Sequence, residues 1–303
     1  MAVVNVTQRP RLLSRFLPPG GAWLDLLPLV LLSLALALPA LGEVSSTNHP
    51  FAGIAVFSET RAQPPTRLFV AEVDLSHPKV RLRVAPGGPD PDGPGQWQTT
   101  LMQPTRIAAR EKMALVVNGD FFLARGVNDA EGTNSAFRPD QWSSVRGPAV
   151  TDGRAWSTGA SNQPSLVVRK DGKVAIKKMS RASADDWQVV AGNTMLVENG
   201  LLVPHQNRVR HPRTALGLDA KGTKLTLLVV DGRKPGVAIG MSYDELAAEL
   251  IRLGCRQALN LDGGGSSVMA LRNAGGNDYR ILNNPTDGRE RAVANALGVF
   301  VEK

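Results

Sequence analysis

The stretch from Thr223 to Leu271 constrains the fold more than any other part of the sequence. Lys224–Val230 (KLTLLVV) is an almost unbroken apolar run of strand length, the pattern of a strand buried on both faces. Ser242–Leu253 then reads as a helix. Ser242 is a good N-cap, Glu245 three residues on completes a capping box, and Gly254 supplies the stop. Leu246, Leu250 and Leu253 make its buried stripe, and Asp244, Glu245, Glu249 and Arg252 are expected to face water. Gln257–Leu261 is the next strand. Strand, helix and strand at these lengths imply a right-handed parallel crossover. The expected fold class is therefore α+β: a single domain rich in mixed β-sheet, with a parallel strand-helix-strand crossover near the C-terminus.

The crossover makes a geometric prediction. Both of its strands end in Asp-Gly, at Asp231-Gly232 and Asp262-Gly263. Neighbouring parallel strands would deliver both carboxylates to one rim, where open α/β sheets bind ligands. The second turn continues as Gly263-Gly264-Gly265-Ser266-Ser267. Three glycines in a row can take positive φ, and successive exposed N–H groups form an anion-binding concavity. The turn lacks the Lys of a phosphate-binding P-loop. It also lacks the second Gly of a nucleophile elbow, which favours a catalytic Asp over a catalytic Ser.

Upstream, Ala114–Asn118 reads as a buried strand ending in Asn118-Gly119-Asp120-Phe121-Phe122, so Asp120 is a third strand-end carboxylate. Arg213 opens the strand Thr214–Leu218, Arg233 follows Asp231-Gly232, and Arg291 precedes Asn295. Guanidinium forks of this kind grip phosphate. The four His residues show no metal-ligand spacing, and only His211, beside Arg213, belongs near a site. The sequence requires no cofactor, although three strand-end carboxylates leave room for a divalent cation.

The first half is dominated by strand signals at Phe51–Phe57, Leu68–Leu75 and Val80–Ala85, and a helix is expected within Thr99–Lys112. Hairpins centre on Asp171-Gly172 and Asn199-Gly200. Gly119–Gly159 has no clear periodicity and reads as a long lid or binding loop. The single cysteine, Cys255, excludes a disulfide framework and reads as a small buried residue.

Residues 1–42 read as a signal peptide. Arg9, Arg11 and Arg15 precede an apolar run from Leu26 to Leu41, which is shorter than the ~20 residues of a spanning helix and ends in a small-residue cleavage pattern. An exported protein follows, periplasmic or extracellular, with no membrane span once the leader is removed. Its catalytic domain would occupy residues 43–303. The leader carries three Arg and one Asp, so the formal charge of +8 becomes +6 without it. That balance suits an anionic partner. No Lys/Arg-rich block of the nucleic-acid-binding type is present, so on charge alone nucleic acid is not expected, and the balance serves solubility or a cell-surface polymer such as anionic lipid or a phosphate-bearing glycan.

These segments resemble the phosphodiester glycosidase family. The resemblance rests on VNGDFF (Val117–Phe122), RTALG (Arg213–Gly217), DGR (Asp231–Arg233), ALNLDGGGSSVM (Ala258–Met269) and RAVANALGV (Arg291–Val299). It covers roughly Val70 to Val301. The chain looks like the bacterial single-domain type. What the resemblance implies is hydrolysis of a sugar-1-phosphodiester, of the N-acetylglucosamine type or from an envelope phosphoglycan, at its glycosidic bond. On that reading Asp262 is the first candidate for the catalytic carboxylate and Asp120 its acid/base partner. Asp231 is a third candidate, or serves to orient Arg233. Gly263, Gly264, Gly265, Ser266, Arg213, Arg233 and Arg291 would hold phosphate, and Asn118 and Asn260 sugar hydroxyls. Two rivals stand beside it: a metal-dependent phosphodiesterase that cleaves P–O, and a non-catalytic binder of phosphate-bearing envelope polymer.

Overall fold

The structure, a computed structural model, describes residues 42–127 and 137–302. The expected leader therefore lies outside the described residues, apart from Gly42. Within them the run Lys224–Val230 is a strand, and its two faces explain its composition. Leu225, Leu227 and Val229 join one apolar cluster, while Leu228 and Val230 join another. It lies inside a nine-stranded sheet with the strands Ile54–Ala62, Pro65–Asp74, Thr194–Glu198, Arg213–Leu218 and Gln257–Asn260.

A five-stranded sheet faces it, ordered Tyr279–Ile281, Met269–Arg272, Leu115–Asn118, Asn295–Val301, Val80–Pro86. The largest apolar cluster draws on both sheets, with Leu216, Leu227 and Leu259 meeting Leu115, Val117 and Leu297. Each sheet carries a helix on its other face. Tyr243–Arg252 buries Leu246, Ala247 and Leu250 on the larger one, and Pro104–Glu111 buries Ile107 and Ala108 on the smaller. A second five-stranded sheet, built around Gln163–Arg169 and Asp186–Ala191, and a three-stranded sheet complete the described residues.

The expected mixed sheet with a parallel crossover is not found. Every strand pairing among the described residues is antiparallel. The strands Lys224–Val230 and Gln257–Asn260 are not neighbours, because Arg213–Leu218 lies between them and runs antiparallel to both. The helix joining them keeps its capping box, with Ser242 accepting from the Glu245 N–H and Glu245 accepting from the Ser242 N–H. Glu249, expected at the surface, is instead buried between Arg61 and Arg252.

The expected helix over Thr99–Lys112 begins only at Pro104, its first residue, and Thr99–Thr100 pairs as a strand with Trp142–Ser143. The expected loop Gly119–Gly159 is largely strand, at Phe122–Ala124, Trp142–Val145, Ala149–Thr151 and Arg154–Ser157. These strands are too short to show a period in the sequence.

Candidate active site

Because one strand separates them, the two strands ending in Asp-Gly point the same way, and both tips reach the same sheet edge. Ala215 lies opposite Leu228 on one side and Asn260 on the other, which puts Pro212-Arg213 between the two turns. A Cβ on Gly232 would stand 2.7 Å from Pro212 N, and one on Gly263 would stand 2.8 Å from Pro212 O. Glycine after each Asp thus lets both turns close on Pro212.

The third tip arrives from the facing sheet, and Asn118 stitches the junction. Its Nδ2 donates to Asp262 O (2.7 Å), while its Oδ1 accepts from Thr214 Oγ1 (2.7 Å) and Val268 N (3.2 Å). Asn118 is fully buried and engaged with protein groups, an internal strut where sequence reasoning had a sugar ligand. Asp262 N donates to Gly119 O at 3.0 Å, so residues 118–120 and 262 are held together.

The two carboxylates brought together there differ sharply. Asp120 is buried, accepts from Asn295 Nδ2 (3.1 Å) through Oδ2, and leaves Oδ1 without a partner among the described residues. Burial pushes its pKa well above the usual carboxylate range, against the opposing Asn295 hydrogen bond, and the nearby Asp262 raises it further. Asp262 is partly exposed and accepts from the Gly263 N–H (2.9 Å). Burial raises its pKa to about 6, opposed by Ser266, the Gly263 N–H, Arg291 and Arg146. The Ser266 hydroxyl is near enough to favour the Asp262 carboxylate but falls short of a well-formed hydrogen bond. Burial thus favours the protonated form of Asp120, while Asp262, at about 6, is mostly ionised at neutral pH, the direction of difference an acid/base pair needs.

Asp231 is at the same edge but is otherwise occupied. It is buried and accepts from Asn284 N (2.9 Å), Asn284 Nδ2 (3.0 Å) and Asn283 Nδ2 (3.3 Å). It anchors the 283–284 segment and makes no ion pair with Arg233 among the described residues, so the expected orientation of Arg233 by Asp231 is absent.

Two of the three glycine amides of the turn are used within the protein. Gly263 N–H is used by Asp262 and Gly264 N–H by Pro212 O (2.9 Å). The turn's value lies in its missing side chains. A Cβ on Gly263 would meet Arg213 Cδ at 3.9 Å, one on Gly264 would meet Arg233 Nη2 at 3.1 Å, and one on Gly265 would overlap Arg291 Nη2 at 1.9 Å. Gly264 and Gly265 thus make room for Arg233 and Arg291, while Gly263 makes room for the Pro212 carbonyl. Arg213 is buried, donates to Met241 O (3.0 Å) and Val209 O (3.1 Å), and stacks 4.1 Å from the Tyr243 ring. Arg291 pairs with Asp287 (2.9 Å) and lies over Phe137. Arg213 and Arg233 have no carboxylate partner among the described residues.

Arg146, missed by sequence reasoning, joins this group. It is exposed, its N–H donates to Phe121 O (2.8 Å), and its charge acts on Asp262. Nothing in the unpatterned stretch around it marked it out. Asn295 and Asn283 were likewise missed, because an Asn that holds a carboxylate has no sequence signature. Asn260, the other expected sugar ligand, is fully buried and donates to Asn193 Oδ1 (2.9 Å), although its Oδ1 lacks a partner. His211 stays neutral at physiological pH. Burial lowers its pKa first, and Arg213 and Arg233 lower it further.

The model of the phosphodiester glycosidase family matches residues 111–300, more than half of the chain and all of the tips just described. The chain belongs to the phosphodiester glycosidase family. Residue similarity extends to N-acetylglucosamine-1-phosphodiester alpha-N-acetylglucosaminidase of Bos taurus, 29% identical over 41% of this chain and 28% of that protein. It extends also to the SPbeta prophage-derived uncharacterized protein YomE of Bacillus subtilis, 38% identical over 30% of this chain and 13% of that protein. The aligned region thus spans under a third of either relative. The fold matches the catalytic domain of the zebrafish N-acetylglucosamine-1-phosphodiester alpha-N-acetylglucosaminidase, with a TM-score of 0.58 at 21% identity over 87% of this chain and 89% of that one. Among the described residues no helix is long and apolar enough to cross a membrane, and no three His, Cys, Asp or Glu side chains gather as a metal site.

Proposed function

We propose that this phosphodiester glycosidase hydrolyses a sugar-1-phosphodiester, of the N-acetylglucosamine-1-phosphodiester type or within an envelope phosphoglycan, at the bond between the anomeric carbon and oxygen. The single observation that carries the reading is the pairing of two carboxyls raised by burial, Asp120 and Asp262, with arginines drawn close by Gly264 and Gly265. A phosphodiester carries one negative charge. Breaking C–O leaves a phosphate monoester whose charge grows towards about −2. Arg213, Arg233 and Arg291 complement the charge that appears in the transition state more than the charge already present, which is where stabilisation accelerates a reaction.

Asp262 serves the anomeric carbon or its attacking water. The C–O electron pair leaves with the phosphate, water's oxygen ends on the sugar, and its proton passes to the carboxylate pair. Asp120, buried and pushed well above the usual carboxylate range, is the proton-holding partner. Asp231 acts as an anchor for residues 283–284. The leader pattern of residues 1–42 supports a reaction outside the cytoplasm. The rival metal-dependent reading needs Asp120, Asp231 and Asp262 as a joint ligand set, and Asp231 is turned to Asn283 and Asn284 instead.

The test is a panel of sugar-1-phosphodiesters incubated with the purified chain, with and without EDTA. Release of reducing sugar that EDTA leaves unchanged supports the reading. Activity that EDTA abolishes supports the metal-dependent phosphodiesterase, and no turnover of any member supports a binding protein.

A further inference from the structure

Asn295 grips the turn that carries Asp120 with its backbone carbonyl and both ends of its side-chain amide. The strand Asn295–Val301 pairs with Leu115–Asn118, with Ala296 opposite Asn118. Just past that pair, the Gly119 N–H donates to Asn295 O (3.0 Å). The next N–H, that of Asp120, donates to Asn295 Oδ1 (2.8 Å), and Asn295 Nδ2 donates to Asp120 Oδ2 (3.1 Å). Asn295 is fully buried. Gly119 admits it, since a Cβ there would stand 2.3 Å from Asn295 Oδ1.

This clamp settles where the hydrogens lie. A backbone N–H can only donate, so the amide oxygen must face the Asp120 N–H and the amide nitrogen must face the carboxyl. An amide nitrogen also only donates, so Asp120 Oδ2 is an acceptor. A protonated carboxyl accepts best through its carbonyl oxygen, which leaves the O–H at Oδ1. Oδ1 is the oxygen that is buried with no partner among the described residues. The Ala191 backbone comes close enough to favour ionisation without completing a hydrogen bond, and the charge that bears on Asp120 is that of Asp262. Arg146 and Arg291 act on Asp262 in turn.

We infer that Asn295 is a positioning residue for the reaction: it holds the Asp120 carboxyl by Oδ2 and keeps the acidic proton on Oδ1, the oxygen with no other engagement. The inference rests on the reading of Asp120 and Asp262 as the acid/base pair of a glycosidase. Asn295→Asp keeps the shape and the acceptor for the Asp120 N–H, but sets a carboxyl oxygen against Oδ2 and draws the proton away from Oδ1. Its kcat on a sugar-1-phosphodiester falls by roughly 10–100-fold with KM within about twofold. The basic limb of its kcat/KM–pH profile moves upward, because a lost donor and a new like charge both disfavour the ionised form of Asp120. In an Asp120→Asn background the same substitution changes kcat by no more than about twofold. A residue that only filled space would leave the limb in place and would multiply the loss in the double variant, and either result overturns the inference.

Carboxyl ¹³C NMR of the full chain needs no turnover. The Asp120 resonance, identified by its loss in Asp120→Asn, titrates about one unit or more higher in Asn295→Asp than in the parent. Asn295→Ala, which removes the donor without adding a charge, moves it the same way and serves where Asn295→Asp does not fold. An unmoved midpoint, or a parent midpoint at the ordinary 3.8, removes Asn295 as a positioning residue even if hydrolysis is robust. A moved midpoint in a chain that turns over no sugar-1-phosphodiester keeps the clamp and defeats the glycosidase reading instead.

Discussion

Asp231-Gly232 and Asp262-Gly263 are the same dipeptide at the same sheet edge, either side of Pro212, yet they do opposite things. Asp231 is buried and accepts hydrogen bonds from Asn283 and from two groups of Asn284. Asp262 is partly open, accepts from one backbone N–H, and has its pKa raised to about 6. The partners a carboxylate is given, and not its place in the fold, decide whether it is structural or reactive. A saturated carboxylate holds the chain in place, whereas an undersupplied one is left with affinity for a proton or a substrate.

Exchanging each Asp for Asn is the sharpest way to break this comparison. Asp262→Asn should lower kcat by roughly 10³-fold and should not destabilise the fold at neutral pH. The folded-state pKa of Asp262 lies above its ordinary value of 3.8, so its stabilising contribution is full below pH ~4 and is lost as pH rises through about 6. Thermal melts should therefore show the variant equal to or above the parent at pH 7.5, with the difference shrinking at pH 5. Asp231→Asn should do the reverse. Denaturant melts should show a loss of about 2–4 kcal/mol, since Asn keeps one acceptor oxygen but sets an NH2 group against a donor of Asn283 or Asn284 where the other oxygen had accepted, with kcat reduced less than in Asp262→Asn. If Asp231→Asn is the better folded and the less active of the two, the comparison fails.

The glycines sharpen it next. A Cβ at Gly265 meets the movable end of Arg291, so Gly265→Ala should raise KM about tenfold with little change in Tm. A Cβ at Gly263 meets the Pro212 carbonyl, which is backbone, so Gly263→Ala should cost about 1–3 kcal/mol of stability in a denaturant melt. The smallest effect expected is electrostatic. Arg146 lowers the Asp262 pKa, so Arg146→Gln should move the acidic limb of the kcat/KM–pH profile upward by a few tenths of a unit. In the parent that limb rises through about pH 6 as Asp262 ionises.

The sequence carried the tips but not how they are joined. Lys224–Val230 was legible because burial on both faces leaves an unbroken apolar run, and Ser242 with Glu245 marked the helix start by local hydrogen bonding alone. The parallel crossover was misread because the strand that separates its halves, Arg213–Leu218, comes earlier in the chain, and nothing in Thr223–Leu271 encodes that insertion. Asp120 and Asp262 could be picked out as strand-end acids, but the environment that sets their pKa values could not. That environment depends on Asn295 and Arg146, which are far from Asp262 or Asp120 in sequence and were not marked as site residues, and on Arg291, which was marked for phosphate and not for its effect on Asp262.

Hydrolysis of a sugar-1-phosphodiester in ¹⁸O-enriched water tests the central claim most directly, because it reports which bond breaks. Mass spectrometry should find the label on the anomeric hydroxyl of the released sugar and none on the phosphate monoester. Label on the phosphate would mean P–O cleavage and would contradict the roles of Asp262 and of the arginines around the glycine turn.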